Sequence, residues 1–545
     1  MGIMALQFIR PQLASCVIDD SILQMSWIRQ FANGLSSDVW LPRWMPESNG
    51  GYGSPVFIFY SPLVYYVSAF FFWLTGSVIF SMKLVRFLAL FFSAWAMLKY
   101  SSEGLPRSTA WMVAAIYLTL PFHVLDISYW TLYAEPCAWI WFPLLLLFQQ
   151  RMMNAKKLSL DSVLLFSICY AGLILTHLVS AYLFSFILGG YFFWCYLPRL
   201  KINQLRQMAL AVILGLLGSS FFLLPAICEQ RLVHLEYSTL LPEFDFRNTF
   251  LFFPSDSLIK NNDFMEKTLR LLQGTTLLQG VWTAFGAILI FRTPSFLDGR
   301  CRREATFGLV VCLVCLFLMS QLSHPVWLLL PLLPKIQFST RWLSLYSLMS
   351  AIVVGMGSRA VLHQNPPAKG WLQWGYMATS CLSLFTSALI VYSSCLLDVE
   401  HEDLAIKSVY NAPEYNPRKM SNWRQRVIYP EDPPVMVCRG EATTQVLKWE
   451  GQQREIKVDA KTPVQIKLRI LDYAGWKIDV NDRSMTNFRD TQNGAILLHL
   501  PPGLHHVSAR FEDTWWRKIG NGLSISVVLL SGGCYWWVMN RSHLN

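Results

Sequence analysis

The chain has 545 residues, of which 54% are hydrophobic and 14% are charged, and its formal net charge is +11. A soluble protein carries roughly 25% charged residues, so this composition excludes an ordinary soluble globular protein. Most Lys and Arg residues lie in short stretches between apolar segments, so the basic balance does not indicate binding to nucleic acid.

The apolar residues cluster into segments of the length that a bilayer requires. A transmembrane helix needs about 20 predominantly apolar residues, and Ala209–Ile227 and Trp342–Val361 are segments of this kind. We expect about a dozen spans, at residues 55–77, 80–98, 108–122, 131–149, 160–177, 179–197, 207–227, 275–291, 305–322, 342–361, 373–396 and 521–539. The fold class predicted for residues 1–396 is therefore an α-helical polytopic membrane protein in which residues 19–53 form an extracytoplasmic first loop.

Two features complicate the N-terminal part of this prediction. The apolar stretch before Asp19 is short and is broken by Arg10 and Pro11, and a cleaved signal peptide is not expected there. The stretch at 54–77 contains Pro55 and Pro62, so it is expected to be re-entrant or partly interfacial if it is not a simple span.

Basic residues orient the predicted spans, because cytoplasmic loops are enriched in Lys and Arg. From residue 123 onward every second loop is basic, through Arg151, Lys156, Lys157, Arg199, Lys201, Arg206, Arg292, Arg300, Arg302, Arg303, Arg359 and Lys369. The loops between them, at 123–130, near 178, at 228–274, 324–341 and 397–519, are then extracytoplasmic. The span at 80–98 does not fit this rule, because Lys83 with Arg86 and Lys99 with Arg107 flank both of its ends.

Residues 397–519 have a different pattern. Val464, Ile466, Leu468 and Ile470 alternate with polar neighbours, which is the period of a half-buried strand. Pro501-Pro502-Gly503 separates two further apolar runs and is typical of a turn between strands. We predict a small extracytoplasmic β-sandwich domain here, followed at 520–545 by a C-terminal transmembrane helix and a short cytoplasmic tail.

Ionisable residues beside the extracytoplasmic ends of the spans are the candidates for chemistry, because burying charge near a membrane is costly unless the charge is paired or used. The candidates from this argument are Asp19, Asp20, His123, Asp126, Glu135, His177, Glu229 and Arg341. Structural roles are the alternative: Asp19 and Asp20 could cap a helix over Ser21–Phe31, and His123 and Asp126 could be solvated loop residues. Their convergence on one membrane face favours a single polar cavity.

Several short motifs are distributed along the chain. In chain order they are Asp19-Asp20, Trp40-Leu41-Pro42-Arg43-Trp44, Gly50-Gly51-Tyr52-Gly53-Ser54-Pro55, Tyr60-Ser61-Pro62-Leu63, Pro121-Phe122-His123 with Asp126, Ala134-Glu135, Thr176-His177, Leu224-Pro225-Ala226 with Glu229, Gln337-Phe338 with Arg341, and Tyr473-Ala474-Gly475-Trp476. Together they resemble the bacterial GT-C-type membrane glycosyltransferases. More closely, they resemble the membrane family labelled 6-pyruvoyl-tetrahydropterin synthase-related, although the sequence has no zinc-binding histidine cluster. Trp130 stands where that family often has an Arg, and Ser339-Thr340 precede Arg341 in place of the family's Pro-aromatic pair.

The resemblance implies a GT-C-like enzyme that moves a sugar from a polyprenyl-phosphate-linked donor to an extracytoplasmic glycan, lipid or protein in the cell envelope. It implies catalytic roles for Asp19, Asp20 and Glu135, and substrate-binding roles for Tyr52, Tyr60, His123, Asp126, His177, Glu229, Gln337 and Arg341. No Gly-rich phosphate loop is present, so no nucleotide or redox cofactor is expected, and a divalent metal requirement stays open. The alternatives are a lipid-linked glycan transporter or flippase and a non-catalytic scaffold of a polysaccharide assembly or export system.

Overall fold

The computed structural model of the chain is helical up to residue 362 and forms β-strands between residues 435 and 511. It describes residues 18–37, 39–128, 132–155, 158–197, 200–239, 245–253, 263–292, 299–330, 332–362, 385, 411–424, 432–485, 488–489 and 493–542. The described helices are α1 (Ile18–Ser36), α2 (Val56–Phe59), α3 (Leu63–Thr75), α4 (Val78–Ser102), α5 (Arg107–Thr119), α6 (Pro121–Ser128), α7 (Ala134–Ala138), α8 (Trp141–Asn154), α9 (Leu160–Thr176), α10 (Leu178–Tyr196), α11 (Ile202–Gly218), α12 (Ser220–Cys228), α13 (Asp263–Arg292), α14 (Gly299–Leu318), α15 (His324–Leu329), α16 (Trp342–Leu362) and α17 (Trp515–Ser542).

The predicted α-helical membrane fold is confirmed, but its spans are more interrupted than expected. Four of the described helices are long and apolar enough to cross a membrane, and up to six spans result if each of two bent helix pairs is one span. Other predicted spans contain shorter apolar helices, such as α3 and α9. The predicted span at 373–396 lies outside the described residues, apart from residue 385.

One bent pair places residues where a loop was expected. Helices α5 and α6 meet at an angle of 43°. Leu120 has an extended conformation between them, with ψ of 133°, as a residue before proline prefers. Pro121 then begins α6, which contains His123 and Asp126, and both are fully buried. The expectation of a solvated loop at 123–130 is therefore wrong over residues 123–128.

The charge pattern around α4 also has a structural explanation. Helix α4 runs from Val78 to Ser102, so Arg86 lies well inside it, and its side chain is buried against Tyr133. Lys99 lies in the last turn and is exposed. Arg86 is thus part of the protein interior and does not belong to a loop.

The C-terminal domain is an antiparallel β-sandwich, as predicted. Its strands are β1 (Val435–Arg439), β2 (Ala442–Glu450), β3 (Gln453–Ala460), β4 (Val464–Leu471), β5 (Trp476–Val480), β6 (Arg483–Met485), β7 (Phe488–Arg489), β8 (Ala495–Leu500) and β9 (Gly503–Phe511). One sheet has the order β1-β4-β8-β7 and the other β2-β3-β9-β5-β6. Alternate residues of β3, β5 and β9 are buried, which is the period-2 pattern of strands with one face toward a core.

Glycines in the first loop allow its backbone to contact the β-sandwich. Gly50, Gly51 and Gly53 have φ values of 64°, 89° and 88°, a region that residues with a Cβ rarely adopt. A Cβ on Gly53 would come within 2.2 Å of the Trp44 ring. The loop then docks on β4, where the amide of Leu471 donates to the carbonyl of Tyr52 at 3.0 Å.

Residues 411–424, which we call the strap, precede the sandwich but pack on the membrane domain. Asn49 donates from its backbone amide to Asn411 Oδ1 at 2.6 Å and from its side chain to Asn416 Oδ1 at 2.8 Å. Pro417 forms a bridge with Val233. The strap lies within the segment that was predicted as the β-domain. Its contacts with Asn49 and Val233 show that it packs instead on residues of the helical domain.

A buried ion pair joins the membrane domain to the last helix. Glu229 follows α12 and accepts from Arg517 of α17 at 2.7 Å and 3.1 Å, and both side chains are at most 3% exposed. Thr514 and Tyr473 also donate to the Glu229 carboxylate. Helix α17 begins at Trp515, before the predicted boundary at 520, and this earlier start places Arg517 beside Glu229.

We predict that a reporter active only in the cytoplasm stays silent when it is fused after residue 420. The positive-inside argument places this residue on the extracytoplasmic side. A fusion after residue 154, beside the basic stretch that starts at Arg151, is the control and is expected to be active. Strong activity after residue 420 would contradict the orientation.

We predict that Arg517→Met lowers the stability of the full-length protein in detergent by about 3–5 kcal/mol, because it leaves the Glu229 carboxylate buried without its cation. Arg510→Met is the matched control, since Arg510 pairs with Asp479 at an exposed site, and about 0–1 kcal/mol is expected there. Chemical or thermal unfolding measures both changes. Equal effects of the two substitutions would refute the structural role of the Glu229–Arg517 pair.

Candidate functional site

Arg341 lies at the centre of the candidate site. It ends the short 3₁₀ turn Ser339–Arg341, which leads directly into α16. Its Nη2 atom donates to Gln337 Oε1 at 3.2 Å, and its guanidinium lies over the Phe338 ring. It is close enough to Glu135 and Asp126 to interact with both carboxylates electrostatically.

Glu135 faces the start of α16. It lies in the short helix α7 and is 5% exposed. Its Oε1 atom accepts a hydrogen bond of 2.7 Å from Ser344. Ser344 and Arg341 are three residues apart, which puts them on the same face of a helical turn. Ser344 in the first turn of α16 therefore hydrogen-bonds the Glu135 carboxylate, and Arg341, just before this helix, lies within electrostatic range of it.

Asp126 is a second buried carboxylate beside Glu135. Both of its carboxylate oxygens are buried and have no hydrogen-bond partner among the described residues. It interacts electrostatically with Glu135, Arg86 and Arg341. A buried carboxyl group without hydrogen bonds is costly, and Arg86 and Arg341 are the cations within electrostatic range of it.

Arg86 is a site residue that the sequence reasoning did not identify. It comes from α4, is 6% exposed, and lies 5.7 Å from the centre of the Tyr133 ring. Its guanidinium is close enough to Asp126 for electrostatic attraction. The sequence does contain a signal for this residue, because Arg86 does not fit the alternation of basic and non-basic loops. A basic residue that breaks this alternation indicates a charge placed inside the protein. We call Arg86, Asp126, Glu135 and Arg341 the charged cluster.

Three other predicted residues surround Arg341. His177 lies between α9 and α10, shares a hydrogen bond of 2.7 Å with Ser180, and is close enough to Arg341 to interact electrostatically. Tyr60, an extended residue between α2 and α3, is also near Arg341. Glu135, His177 and Tyr60 are therefore within electrostatic range of Arg341, although they come from segments that are far apart in sequence.

Gln337 supports Arg341 from a strained backbone position. Its φ is 66°, and such a conformation costs on the order of 1–3 kcal/mol in a residue other than glycine. Its Nε2 atom donates to the carbonyl of Ser238 at 2.6 Å, while its Oε1 atom accepts from Arg341. The side chain thus fixes the guanidinium relative to the loop at 235–239.

His123 has a role inside the protein. Its Nδ1 atom is 2.7 Å from the carbonyl of Tyr117, and its ring stacks on Trp139 at a centroid distance of 3.9 Å. Its Nε2 atom is buried and has no hydrogen-bond partner among the described residues. These contacts hold α6 against α7, the helix that carries Glu135.

The structure places Asp19 and Asp20 in the first turn of α1 as it is described, but their side chains lie outside the described residues. The alternative in which they cap a helix over Ser21–Phe31 does not fit, because both residues lie within α1. Gln24 lies one turn later, and its Nε2 atom is 3.5 Å from the Tyr60 hydroxyl. Trp130 lies outside the described residues.

Tyr52 and Glu229 lie in contacts between domains. The Tyr52 hydroxyl donates to Asp432, which Lys467 also contacts at 3.3 Å. Burial raises the pKa of Tyr52 to about 12, and its hydrogen bond lowers the pKa of Asp432. Glu229 is fully engaged by Arg517, Thr514 and Tyr473. Both residues hold the β-sandwich in place, and neither has a described contact with the charged cluster.

Cavity size and metal ligation do not define the site. A cavity of about 350 Å³ is lined by Tyr100, Gln150, Arg300, Glu304 and Arg359, a set that contains none of the predicted site residues. Among the described residues, no three His, Cys, Asp or Glu side chains form a group that could hold a metal ion. The convergence of buried charges identifies the site.

The fold and the site together define a helical multi-pass membrane protein with a buried charged cluster and an appended β-sandwich. The chain belongs to the membrane-protein family described as "6-pyruvoyl-tetrahydropterin synthase related domain; membrane protein", whose profile matches residues 57–397. This membership confirms the family resemblance noted in the sequence. No curated protein matches the chain.

Two solved glycosyltransferase structures align with the chain. Arabinofuranosyltransferase AftD from Mycobacteria aligns with a TM-score of 0.44 and 14% identity, covering 70% of this chain and 27% of AftD. The chain thus matches only about a quarter of that protein. ArnT from Cupriavidus metallidurans bound to undecaprenyl phosphate aligns with a TM-score of 0.27 and 11% identity, covering 62% of this chain and 72% of ArnT.

We predict that Arg86→Gln destabilises the full-length protein in detergent by about 3 kcal/mol, because it removes a cation that compensates the buried Asp126. The double variant with Asp126→Asn is expected to recover part of that loss, since the two residues are coupled. Lys99→Gln, at the exposed end of the same helix, is the control and is expected to change stability by less than about 0.5 kcal/mol. Purely additive effects in the double variant would rule out the pairing.

Proposed function

We propose that the protein is a GT-C-type membrane glycosyltransferase. It moves a sugar from a polyprenyl-phosphate-linked donor to an extracytoplasmic acceptor, which is a glycan, a lipid or a protein. The observation that carries this proposal is the charged cluster, in which Arg86, Asp126 and Glu135 are buried and the partly buried Arg341 lies within electrostatic range of both carboxylates. The order of sequence motifs, which resembles GT-C enzymes along nearly the whole chain, supports the same reaction class.

The proposed reaction requires one bond to break and one to form. The bond between the sugar C1 atom and the donor phosphate oxygen breaks, while an acceptor hydroxyl oxygen bonds to C1. The acceptor proton passes to a carboxylate, and the phosphodiester monoanion becomes a phosphate monoester dianion. The carboxylate loses one negative charge as the phosphate gains one, so the net charge of the site stays constant.

Each role falls to a residue type suited to it. Asp19 or Asp20 is the proposed base, because a carboxylate can accept the hydroxyl proton. Arg341 is the proposed phosphate ligand, since a guanidinium can bind phosphate oxygens through two parallel hydrogen bonds. His177, beside Arg341, also faces the phosphate. Glu135, which Ser344 and Arg341 hold in place, orients the acceptor.

The buried setting strengthens the proposed phosphate contact. Electrostatic interactions are stronger in a water-excluded site than in water. Arg341 is already oriented by Gln337 and Phe338, so little reorganisation is needed when charge develops on the leaving phosphate. Arg86 compensates Asp126 nearby and so leaves Arg341 available to a substrate anion.

The proposal predicts that replacing both Asp19 and Asp20 with Asn lowers sugar transfer about 10²–10⁴-fold, the usual contribution of a general base. The measurement uses the full-length protein in lipid nanodiscs with a panel of polyprenyl-phosphate pentoses and hexoses, and follows the release of polyprenyl phosphate. Asp161→Asn is the matched control, because Asp161 is an exposed carboxylate in the first turn of α9.

Two outcomes would contradict the proposal. If the wild-type protein releases polyprenyl phosphate from no donor in the presence of membrane glycan, lipid and protein acceptors, the glycosyltransferase function is wrong. If the double variant transfers sugar at the wild-type rate, Asp19 and Asp20 are not the base. Arg341→Lys should then still reduce transfer, because Lys cannot form the bidentate contact.

A further inference from the structure

A long stretch without charge continues past the end of helix α14. The sequence from Ala305 to Pro334 contains no Asp, Glu, Lys or Arg, but α14 ends at Leu318. The chain then forms the 3₁₀ turn Gln321–Ser323, the short helix α15 and a second 3₁₀ turn, Leu333–Ile336. We call residues 319–330 and 332–334 the leucine segment.

The uncharged part of α14 is too short to cross a bilayer. Arg300, Arg302 and Arg303 lie at the start of the helix, and the positive-inside rule assigns them to the cytoplasmic boundary. From Ala305 to Leu318 the helix rises about 21 Å, at about 1.5 Å per residue. The hydrocarbon core is about 30 Å thick, so by this measure α14 ends before it reaches the extracytoplasmic boundary.

The protein itself satisfies the backbone at this helix end. The carbonyl of Leu318 accepts from Trp327 Nε1 at 3.1 Å and from Ser323 Oγ at 3.2 Å. The carbonyl of Met319 accepts from the two amides of residues 251–252 at 2.8 Å and 3.1 Å. Water satisfies the carbonyls of an exposed helix end, whereas a helix that ends in hydrocarbon needs partners from the protein. These bonds therefore fit a helix end inside the membrane.

The leucine segment is fixed on the protein but exposes large apolar side chains. Trp327 is fully buried, and its ring stacks on Phe246 at a centroid distance of 5.0 Å. Among the described residues of the segment, Gln321 is the one exposed polar residue. The most exposed leucines are Leu322, Leu328, Leu329 and Leu332, at 69%, 60%, 79% and 50%. Such a concentration of exposed apolar side chains marks an interaction surface.

We propose that the leucine segment is a re-entrant part of the membrane domain, and that its exposed leucines lie among the acyl chains of the extracytoplasmic leaflet. The inference goes beyond the proposed reaction and does not depend on it. It places residues 324–334 of the loop predicted at 324–341 in the membrane and not in water.

Continuity with α14 identifies lipid as the partner. Leu313 and Phe317 are exposed and four residues apart, so they lie on one face of that helix. Leu322 continues these exposed apolar residues directly after the helix. A protein interface that forms in water has a polar rim, whereas this surface has almost no polar side chains.

The return of charge marks where the segment leaves the hydrocarbon. Lys335 is exposed and is the first charged residue after Glu304. A lysine at the end of an apolar membrane segment extends its ammonium group to the headgroups. Gln337 and Arg341 follow within two turns of chain, so the re-entrant segment holds Arg341 near the depth of the lipid phosphates.

Depth-dependent quenching tests this placement. A small fluorescent amino acid replaces Leu329 in the full-length protein, which is reconstituted into phosphatidylcholine nanodiscs. We expect phosphatidylcholine with a doxyl group on its acyl chain to remove most of the fluorescence, and aqueous iodide to have little effect. The same label at Leu529, exposed on the membrane helix α17, is the control for lipid, and at Thr443, exposed on β2, the control for water.

A matched pair of substitutions provides a second measurement. Leu329→Glu and Leu447→Glu each replace an exposed leucine, so neither removes much packing within the protein. A carboxylate is costly among acyl chains but not in water. The midpoint of thermal unfolding in nanodiscs should therefore fall in Leu329→Glu and stay near the wild-type value in Leu447→Glu, which lies on the β-sandwich.

Three results would overturn the inference. Iodide quenching at residue 329 as strong as that at residue 443 would mean that the leucine faces water. Fluorescence that resists both quenchers would mean that protein, such as a second copy of the chain, covers it. Equal unfolding midpoints in the two Glu variants would show that Leu329 has no contact with acyl chains.

Discussion

The need to compensate buried charge governs how this protein is put together. Asp126 is enclosed with no hydrogen-bond partner among the described residues, and two arginines lie within electrostatic range of it, Arg86 from α4 and Arg341 from the turn before α16. Helix breaks at Leu120 and before Trp342 then give the polar side chains room beside the ends of apolar helices.

Two buried glutamates in this structure differ in how many hydrogen bonds their carboxylates accept. Glu229 is saturated by hydrogen bonds from Arg517, Thr514 and Tyr473, and such a carboxylate has little capacity left for a ligand. Glu135 has one described hydrogen-bond donor, Ser344, and an arginine that is shared with other groups. The sequence motifs treat these two glutamates alike. The number of hydrogen bonds that each carboxylate accepts distinguishes the structural residue from the candidate for chemistry.

The extent of sequence-based prediction differs along the chain for physical reasons. Apolar runs and strand alternation are local signals, so the helical membrane fold and the β-sandwich could be predicted. The bend at Pro121 also has a local cause, but its consequence, the burial of Asp126, depends on packing with α4 and α16. Arg86 could not be predicted as a site residue, because it lies inside an apolar helix and its surroundings come from other parts of the chain. No periodicity in the sequence encodes such contacts.

The pair of Glu229 and Arg517 has a consequence for the making of the protein. The two residues are 288 positions apart, so the glutamate is synthesised long before the arginine that neutralises it. At typical translation rates of about 5–20 residues per second, the interval is about 15–60 s. During that time the end of α12 must keep its carboxylate in contact with water or headgroups, and the helical domain cannot close on that side. This side of the helical domain can therefore pack only after the last helix has been synthesised. A nascent chain that stops before this helix would leave that side unpacked and exposed to quality-control proteases.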